Sequence, residues 1–450
     1  MTDLLSREDL RFLLFDWLDV EEVCTHEPFT DHDRESITLV LDLARVVAVE
    51  HLLPCYAELD REEPVFDAGR AILPEATGRA VGAIADSGLM WASLPSAYGG
   101  SDLPLTVFTA AGAWLQAANI SAVAYPALTL GNVNLLLAHG TPEQIAKYVA
   151  PMVQGRFTGT MCMSETEAGS SLADITTCAE RQGDGSYRVN GSKMWISGGE
   201  HDISENILHL VLSRTEGAPA GIKGLSLFVV PKYLVGDDGA LGERNDIELV
   251  GLNHKMGYRG TVNTVLSFGA GHTTPAGRPG AVGYLVGEEG AGLAYMFHMM
   301  NEARIGVGGG AAAIGYAGYR CALAYAKERV QGRLAWDKDP AAQPVPIVEH
   351  PDVRRMLLQA KAYVEGALAL VLYAARVDDD LRSATDDRSQ ADAGLLLDVL
   401  TPIVKSWPST YGLAANDLAI QVLGGYGYSR DYPVEQLYRD QRLNPIHEGT

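Results

Sequence analysis

The chain has 450 residues, of which 47% are hydrophobic and 20% charged, a composition typical of a soluble globular protein with two or three domains. Its 57 Asp and Glu residues outnumber its 35 Lys and Arg residues and give a formal net charge of -22, which disfavours nucleic acid and anionic membranes as partners. Five widely spaced cysteines without a CxxC pair indicate neither a disulfide framework nor a zinc site, so we expect a reducing, cytoplasmic location.

Residues 1–35 contain neither the basic region nor the cleavage site of a secretory signal. Over residues 36–154, apolar side chains recur at helical spacing, as in ITLVLDLARVVAVEHLL, and predict an N-terminal helical domain. Residues 155–287 instead contain short runs with β-branched or alternating side chains, such as SYRVNG, KMWIS, ILHLVLS and LSLFVV. These runs predict a middle β-domain of antiparallel strands.

Helical spacing returns over residues 288–450 in three long segments, which predict a C-terminal helical bundle and, with the β-domain, an α+β fold. The acidic stretch from Asp378 to Asp392 joins the second and third segments, and its low apolar content predicts a solvated loop. The uncharged stretch from Ile305 to Tyr319 is rich in glycine and shorter than the roughly 18 apolar residues of a membrane helix. We therefore expect no membrane span.

Several common site motifs are missing from the sequence. No GxGxxG follows a strand, and no GxxxxGK[ST], HExxH or GxSxG occurs, so a nucleotide, zinc-protease or serine-hydrolase site is not indicated. The histidines are scattered singly and predict no metal site. The remaining polar, glycine-bearing segments are MCMSETEAGSS, NGSKMWISGG, ERVQGR, QVLGGYGY and NPIHEGT. Each of them, taken alone, is more simply a turn, a helix cap or a surface segment.

In their order and spacing, however, these segments together resemble the acyl-CoA dehydrogenase family over nearly the whole chain. The correspondences are residues 161–171 and 191–197 to the flavin-facing strands, Asn301 to Arg304 with Gly306 to the start of the C-terminal bundle, Glu328 to Arg333 to the ERxxxGR pyrophosphate segment, Gln421 to Gly427 to the QxxGGxG turn, and HEGT to the base-bearing EGT. The resemblance implies the family's fold and FAD as cofactor.

The resemblance also implies a reaction in fatty acid metabolism, the FAD-dependent α,β-dehydrogenation of an acyl-CoA to the trans-2-enoyl-CoA. Glu448 corresponds to the base that takes the α-proton, while flavin N5 takes the β-hydride and an electron-transferring flavoprotein then receives the electrons. Gly449 lets the substrate approach the backbone, whose N–H groups can bind the thioester oxygen. An acyl-CoA oxidase that uses oxygen and a non-catalytic flavin-binding relative are the alternatives, and Glu448 argues against the latter.

Further site residues are implied by the resemblance alone. The cofactor-binding residues near the flavin ring are Met161, Met163, Ser164, Gly169, Ser170, Trp195, Ile196, Ser197 and Thr450. The substrate-binding residues are Ser170, Arg304 and Gly449. Arg329 resembles an arginine that reaches the FAD pyrophosphate of a neighbouring subunit, accompanied by Gln421, Gly424 and Gly425, so a homodimer or homotetramer is implied.

The sequence departs from the usual family pattern at a few positions. Ser164 and Ser197 replace the usual Thr and keep a hydroxyl, whereas Thr166 replaces Pro and Ser171 replaces Asp, which implies a more mobile loop with one charge fewer. His447 replaces a common Tyr, and either a titratable role beside the base or simple packing fits it. The resemblance is greatest to longer members, which have an N-terminal arm matching residues 1–35 and a further helical domain, so we expect the protein to continue beyond Thr450.

Overall fold

The computed structural model of the chain describes residues 3–449, without the side chains of residues 298–302. Both ends are helical and the middle is a β-domain, so the predicted α+β fold is confirmed. The helices are α1 (Arg7–Arg11), α2 (Val20–Val23), α3 (Arg34–Val46), α4 (Leu53–Arg61), α5 (Glu75–Ser87), α6 (Leu105–His139), α7 (Pro142–Gln144), α8 (Ala150–Val153), α9 (Gly292–Glu328), α10 (Pro351–Ser383), α11 (Asp387–Leu423) and α12 (Val434–Gln441). Segments with wider π-type turns cover Phe12–Trp17, Val47–Leu52 and Ile145–Val149.

The strands form one large sheet and two small hairpins. They are β1 (Val65–Asp67), β2 (Arg70–Ile72), β3 (Phe157–Cys162), β4 (Cys178–Arg181), β5 (Tyr187–Ser197), β6 (Asn206–Thr215), β7 (Leu225–Pro231), β8 (Tyr233–Val235), β9 (Leu241–Arg244), β10 (Ile247–Leu252), β11 (Asn263–Phe268) and β12 (Ala281–Val286). The large sheet has the order β10-β11-β5-β12-β7-β6-β3, with β4 beside β5 and β6. The prediction of antiparallel strands needs one correction, because β3–β6 and β4–β6 pair in parallel through long crossover connections.

Strand β5 is continuous and joins the two predicted runs SYRVNG and KMWIS. Its first residues pair with β12 around Val189, and the following residues pair with β11 from Gly191 to Ser197. Gly191 has φ +153°, and a Cβ there would lie 2.8 Å from the Thr177 Cα. The strand changes neighbours at this position, where the backbone approach leaves no room for a side chain.

The long helices of the bundle approach one another closely at glycines. A Cβ on Gly308 would lie 2.3 Å from the Val404 carbonyl oxygen, and one on Gly315 would lie 2.9 Å from the Gly412 Cα. The residue numbers of both contacts increase in the same direction along the two helices, so α9 and α11 run parallel. Helix α10 lies between them in sequence. The start of α9 therefore faces the start of α11, and the end of α9 faces the end of α11.

The acidic stretch from Asp378 to Asp392 is mostly helical, which corrects the prediction of a loop: only residues 384–386 separate α10 from α11. Asp379 is fully buried, and its carboxylate accepts hydrogen bonds from the Leu105 and Thr106 backbone N–H groups at 2.6 and 2.9 Å and from the Thr106 hydroxyl at 2.6 Å. The carboxyl group thus caps the start of α6, a partner too distant in sequence for a local pattern to indicate.

Two helices, α6 and α10, are long and apolar enough to cross a membrane by length and composition. Helix α6 contains no Asp, Glu, Lys or Arg over its 35 residues and is therefore a longer uncharged segment than Ile305–Tyr319. In the fold, 67% of the apolar window of α6 and 44% of that of α10 are buried. Core helices of a bundle pass the same test.

Candidate active site

The HEG turn (residues 447–449) lies against the bundle at Arg304 of α9 and Lys405 of α11. Glu448 and Gly449 have φ angles of +56° and +86°, in the left-handed region. A Cβ on Gly449 would lie 3.1 Å from Arg304 Nη2. Glycine at this position therefore permits both the backbone conformation and the close approach of the arginine.

Two cations of the bundle hold the HEG turn. Arg304 of α9 donates from Nε to the Glu448 carbonyl oxygen at 3.3 Å, and Lys405 of α11 donates from Nζ to the Gly449 carbonyl oxygen. The Glu448 carboxylate is close enough to both cations to be influenced by their charges, and its Oε2 is buried without a hydrogen-bond partner. A buried carboxylate oxygen with no partner is a costly feature in a folded protein and is free to accept a proton from a bound molecule.

The burial of the turn shifts the proton affinity of both its titratable groups. Burial raises the pKa of Glu448, and the positive charges of Lys405 and Arg304 partly oppose that rise. Burial lowers the pKa of His447 to about 4, so its ring is neutral near pH 7. The ring Nδ1 lies 3.1 Å from the Leu443 carbonyl oxygen, and the ring meets Tyr258 edge-on at 6.3 Å between centroids. Of the two roles left open for His447, the structure favours packing.

The two segments expected to face the flavin lie side by side. The Met194 backbone N–H donates to the Ser164 carbonyl oxygen at 3.0 Å, and Lys193 Nζ donates to the Met163 carbonyl oxygen at 2.9 Å. Met161 and Met163 are partly buried against the core. The loop from β3 and the end of β5 are thereby joined through their main chains, upstream of Trp195.

Trp195 presents its ring at the surface of this junction. The residue is 57% exposed with φ +66°, whereas the next residue, Ile196, is 2% exposed. Ser197 Oγ accepts a hydrogen bond from Asn263 Nδ2 at 3.1 Å, and Gly169 and Ser170 are exposed in the neighbouring loop. An uncovered aromatic face beside hydroxyl and backbone groups fits a flat cofactor with polar edges, such as the isoalloxazine ring of FAD.

A second group of predicted residues lies elsewhere on the chain. Arg329 follows the end of α9, is exposed, and donates to Gln331 Oε1 at 3.2 Å. Gln421, Gly424 and Gly425 are exposed at the parallel end of α11, and the Tyr325 and Tyr426 rings meet there at 6.4 Å. At 1.5 Å per helical residue, Arg329 lies roughly 37 Å along α9 from Arg304. One chain therefore does not bring these residues to Glu448.

The structure adds a residue that the sequence patterns did not single out. Lys405 is 3% exposed and contacts the HEG turn, and its signal in the sequence is a lone cation within the apolar run LTPIVKSWPS. Thr450 lies outside the described residues, as does the side chain of Asn301. Within the described part of the chain, no group of three or more His, Cys, Asp or Glu residues could hold a metal ion.

Sequence comparison identifies three domains of one family in this chain. Residues 34–156 match the acyl-CoA dehydrogenase N-terminal domain, residues 160–269 the middle domain, and residues 290–450 the C-terminal domain. Together these matches cover most of the chain.

Individual proteins of known name give the same result. The chain is 40% identical to a 3-methylmercaptopropionyl-CoA dehydrogenase of Ruegeria pomeroyi, over 89% of this chain and 66% of that protein. It is 37% identical to a broad-specificity linear acyl-CoA dehydrogenase of Mycobacterium tuberculosis, over 98% of this chain and 72% of that protein. The crystal structure of an acyl-CoA dehydrogenase from Bacillus anthracis complexed with FAD matches with a TM-score of 0.74 at 20% identity, over 95% of this chain and 66% of that chain.

Proposed function

Because the chain belongs to the acyl-CoA dehydrogenase family, whose members bind FAD, we propose that it dehydrogenates an acyl-CoA thioester to the trans-2-enoyl-CoA. The observation that carries this proposal is the buried, unpartnered Oε2 of Glu448. An α-hydrogen next to a thioester is removed as a proton, so the reaction needs a carboxylate within reach of that carbon in a site from which water is excluded. Glu448 is that carboxylate in our assignment.

Three features of the HEG turn suit Glu448 to act as the base. The backbone at Glu448 and Gly449 is left-handed, and glycine at residue 449 has no Cβ that could obstruct a thioester. Burial raises the pKa of the carboxyl and so strengthens it as a proton acceptor. Arg304 donates to the Glu448 carbonyl oxygen, and in our assignment its positive charge also stabilises the enolate oxygen of the bound thioester.

When bound, FAD supplies the electron acceptor to which the β-hydrogen passes as a hydride. The chain's own part is to position the ring. We assign this to Trp195, Ile196 and Ser197 at the end of β5, to Met161 near the end of β3, and to Met163, Ser164, Gly169 and Ser170 in the loop that follows β3. Ser170 is also assigned to the substrate, together with Arg304 and Gly449. The backbone hydrogen bond from Met194 to Ser164 holds these two segments side by side.

We also propose that the enzyme is a homodimer or homotetramer with sites that span two subunits. Arg329, Gln421, Gly424 and Gly425 are exposed at the far end of the bundle, roughly 37 Å along α9 from the base. A planar guanidinium suits the FAD pyrophosphate, and in our assignment this group serves the cofactor of a neighbouring subunit. A monomer that holds FAD at full occupancy would refute this.

For the electron acceptor we propose an electron-transferring flavoprotein in preference to oxygen, because the curated relatives above are named dehydrogenases. Their names also direct the choice of substrates towards linear and thioether-containing acyl chains. All five cysteines are free thiols, and four of them are buried, which supports a reducing, cytoplasmic location.

The test is anaerobic mixing of the full-length, FAD-loaded protein with a panel of acyl-CoAs while the flavin absorbance is followed. The panel contains linear acyl-CoAs of increasing length, a branched one and 3-methylmercaptopropionyl-CoA. Rapid bleaching with at least one member, followed by reoxidation by an electron-transferring flavoprotein but only slowly by air, is the expected result. Fast reoxidation by air would assign an oxidase. Flavin that no member bleaches would refute the proposed reaction.

A further inference from the structure

We propose that Lys405 is the positioning residue of the base: it anchors the HEG turn through the Gly449 carbonyl oxygen and presents its positive charge to the Glu448 carboxylate. This inference rests on the proposed function of Glu448 and extends it to a residue on α11. Lys405 is 3% exposed, a position at which a lysine is rare unless it is paired or hydrogen-bonded. Its partner is the turn itself.

The charges around Glu448 come from two helices and from its own turn. Arg304 faces it from α9 and Lys405 from α11, while His447 precedes it in the turn and contacts Tyr258. Arginine side chains in general stay charged in proteins, and the His447 ring is neutral near pH 7 because burial lowers its pKa. Lys405 is thus the titratable cation that faces the base.

The two roles of Lys405 support the same chemistry. As a hydrogen-bond donor it fixes the carbonyl oxygen one residue after the base, so the carboxylate cannot swing away with the turn. As a buried cation it opposes the effect of burial on Glu448 and keeps the carboxylate charged and ready to accept a proton. Burial alone would leave the base protonated over a wider pH range and therefore inactive over that range.

The test uses the full-length, FAD-loaded enzyme with three substitutions. Lys405→Met removes both charge and donor at similar volume, Lys405→Arg keeps both, and Glu448→Gln identifies signals that belong to the base. Infrared difference spectra across a pH titration follow the carbonyl stretch of a protonated carboxyl, and the band that Glu448→Gln abolishes is assigned to Glu448. This readout does not depend on turnover. Lys361→Met, on the exposed part of α10, is the matched lysine control.

We expect the Glu448 band in Lys405→Met to disappear at a higher pH than in the parent, and the acid limb of flavin reduction to move in the same direction. An opposite charge within about 4–6 Å of a carboxylate typically lowers its pKa by 1–3 units, so the rate on that limb should fall by about tenfold. Lys405→Arg should return both the pH at which the band disappears and the pH of the acid limb to the parental values. Lys361→Met should leave both pH values unchanged.

The inference is overturned if the Glu448 band disappears at the parental pH in Lys405→Met, or if Lys405→Arg shifts that pH as much as Lys405→Met does. If Lys405→Met does not fold, Lys405→Gln takes its place, because it also removes the charge. Failure of the proposed function is distinguishable: Glu448→Gln would then reduce its flavin at the parental rate, while the infrared titration would still report whether Lys405 acts on Glu448.

Discussion

Lys193 and Glu165 form an ion pair inside the protein, with Nζ and Oε1 3.0 Å apart and side chains that are 0% and 9% exposed. Lys193 lies on β5, two residues before Trp195, and also donates to the Met163 carbonyl oxygen at 2.9 Å. Glu165 accepts hydrogen bonds from the backbone and hydroxyl groups of Thr176 and Thr177. The pair therefore joins the two segments that we assign to the flavin.

Lys193→Met should destabilise the protein by about 3 kcal/mol, because it leaves the Glu165 carboxylate buried without its cation. Chemical denaturation gives the free energy of unfolding. The double substitution Lys193→Met with Glu165→Gln should recover part of the loss, since it removes the uncompensated charge. Arg156→Met, which breaks a surface pair with Glu205, is the control and should change stability little. Equal losses for Lys193 and Arg156 would contradict the role of burial.

The stability contributed by Glu165 should depend on pH. Burial on its own would raise the pKa of Glu165, but the Thr177 hydrogen bonds and the Lys193 charge outweigh it and hold that pKa at about 2, below the ordinary value of 4.5. The contribution is therefore complete above about pH 4.5 and is lost as the pH falls towards 2. The difference in unfolding free energy between the parent and Glu165→Gln should shrink over that window. A difference that is constant from pH 6 to pH 3 would show that the carboxylate is not held in this way.

Asp379→Ala should destabilise the junction of α6 and α10 by about 2 kcal/mol or more. The substitution leaves the Leu105 and Thr106 backbone N–H groups at the start of α6 without their acceptor in a buried position. Asp380→Ala is the matched control, because this neighbour is exposed and pairs only with Arg376 of its own helix among the contacts described. Thermal melting of both variants measures the difference in stability. Similar melting temperatures would contradict the role of Asp379 as a buried cap of α6.

Asp379 illustrates what local sequence patterns can and cannot predict. The helical and β-strand regions were predictable because apolar residues repeat at the spacing of each element, and the strand runs SYRVNG and ILHLVLS do lie in β5 and β6. The acidic stretch was misinterpreted because charge normally marks a solvent-exposed segment, while this aspartate has partners more than 270 residues away. No local pattern contains that information.

The candidate site shows the same limit. The family resemblance led directly to Glu448, Trp195 and Arg304, because those residues stand in recognisable motifs. Lys405 has no motif of its own, and its proximity to the HEG turn follows from the parallel packing of α9 and α11 at Gly308 and Gly315. Such proximity is a property of the folded bundle, so it could not be predicted from the spacing of residues along one helix.

Arg329→Ala should weaken FAD retention without changing the pH dependence of flavin reduction in the molecules that keep their cofactor. We expect this because the guanidinium, in our assignment, binds the pyrophosphate in a neighbouring subunit and lies far from the base. Flavin content after gel filtration and the dissociation constant for added FAD are the measurements. Arg355→Ala, an exposed arginine on α10, is the control. Equal FAD affinity in the two variants would remove Arg329 from the cofactor site.

Glu448→Gln should leave acyl-CoA binding largely intact while slowing flavin reduction by about 100- to 10,000-fold, since the amide keeps the shape of the side chain but cannot accept the proton. In the parent, the reduction rate should fall as the pH drops through the pKa of Glu448, which burial raises above the ordinary carboxyl value. The acid limb should therefore lie above the ordinary carboxyl range and be absent from the variant. Rapid mixing at a series of pH values measures both effects.

The control for this experiment is Glu349→Gln, which changes an exposed carboxylate paired with Arg354 and should reduce its flavin at the parental rate. The alternative role for Glu448, that of a surface carboxylate, predicts the same behaviour for both variants. That alternative conflicts with the burial of Oε2, which is not hydrated by solvent and has no hydrogen-bond partner in the described structure. A Glu448→Gln enzyme that reduces its flavin within a few-fold of the parental rate would place the base at another residue. The unfavourable burial of this carboxylate would then not be explained by catalysis.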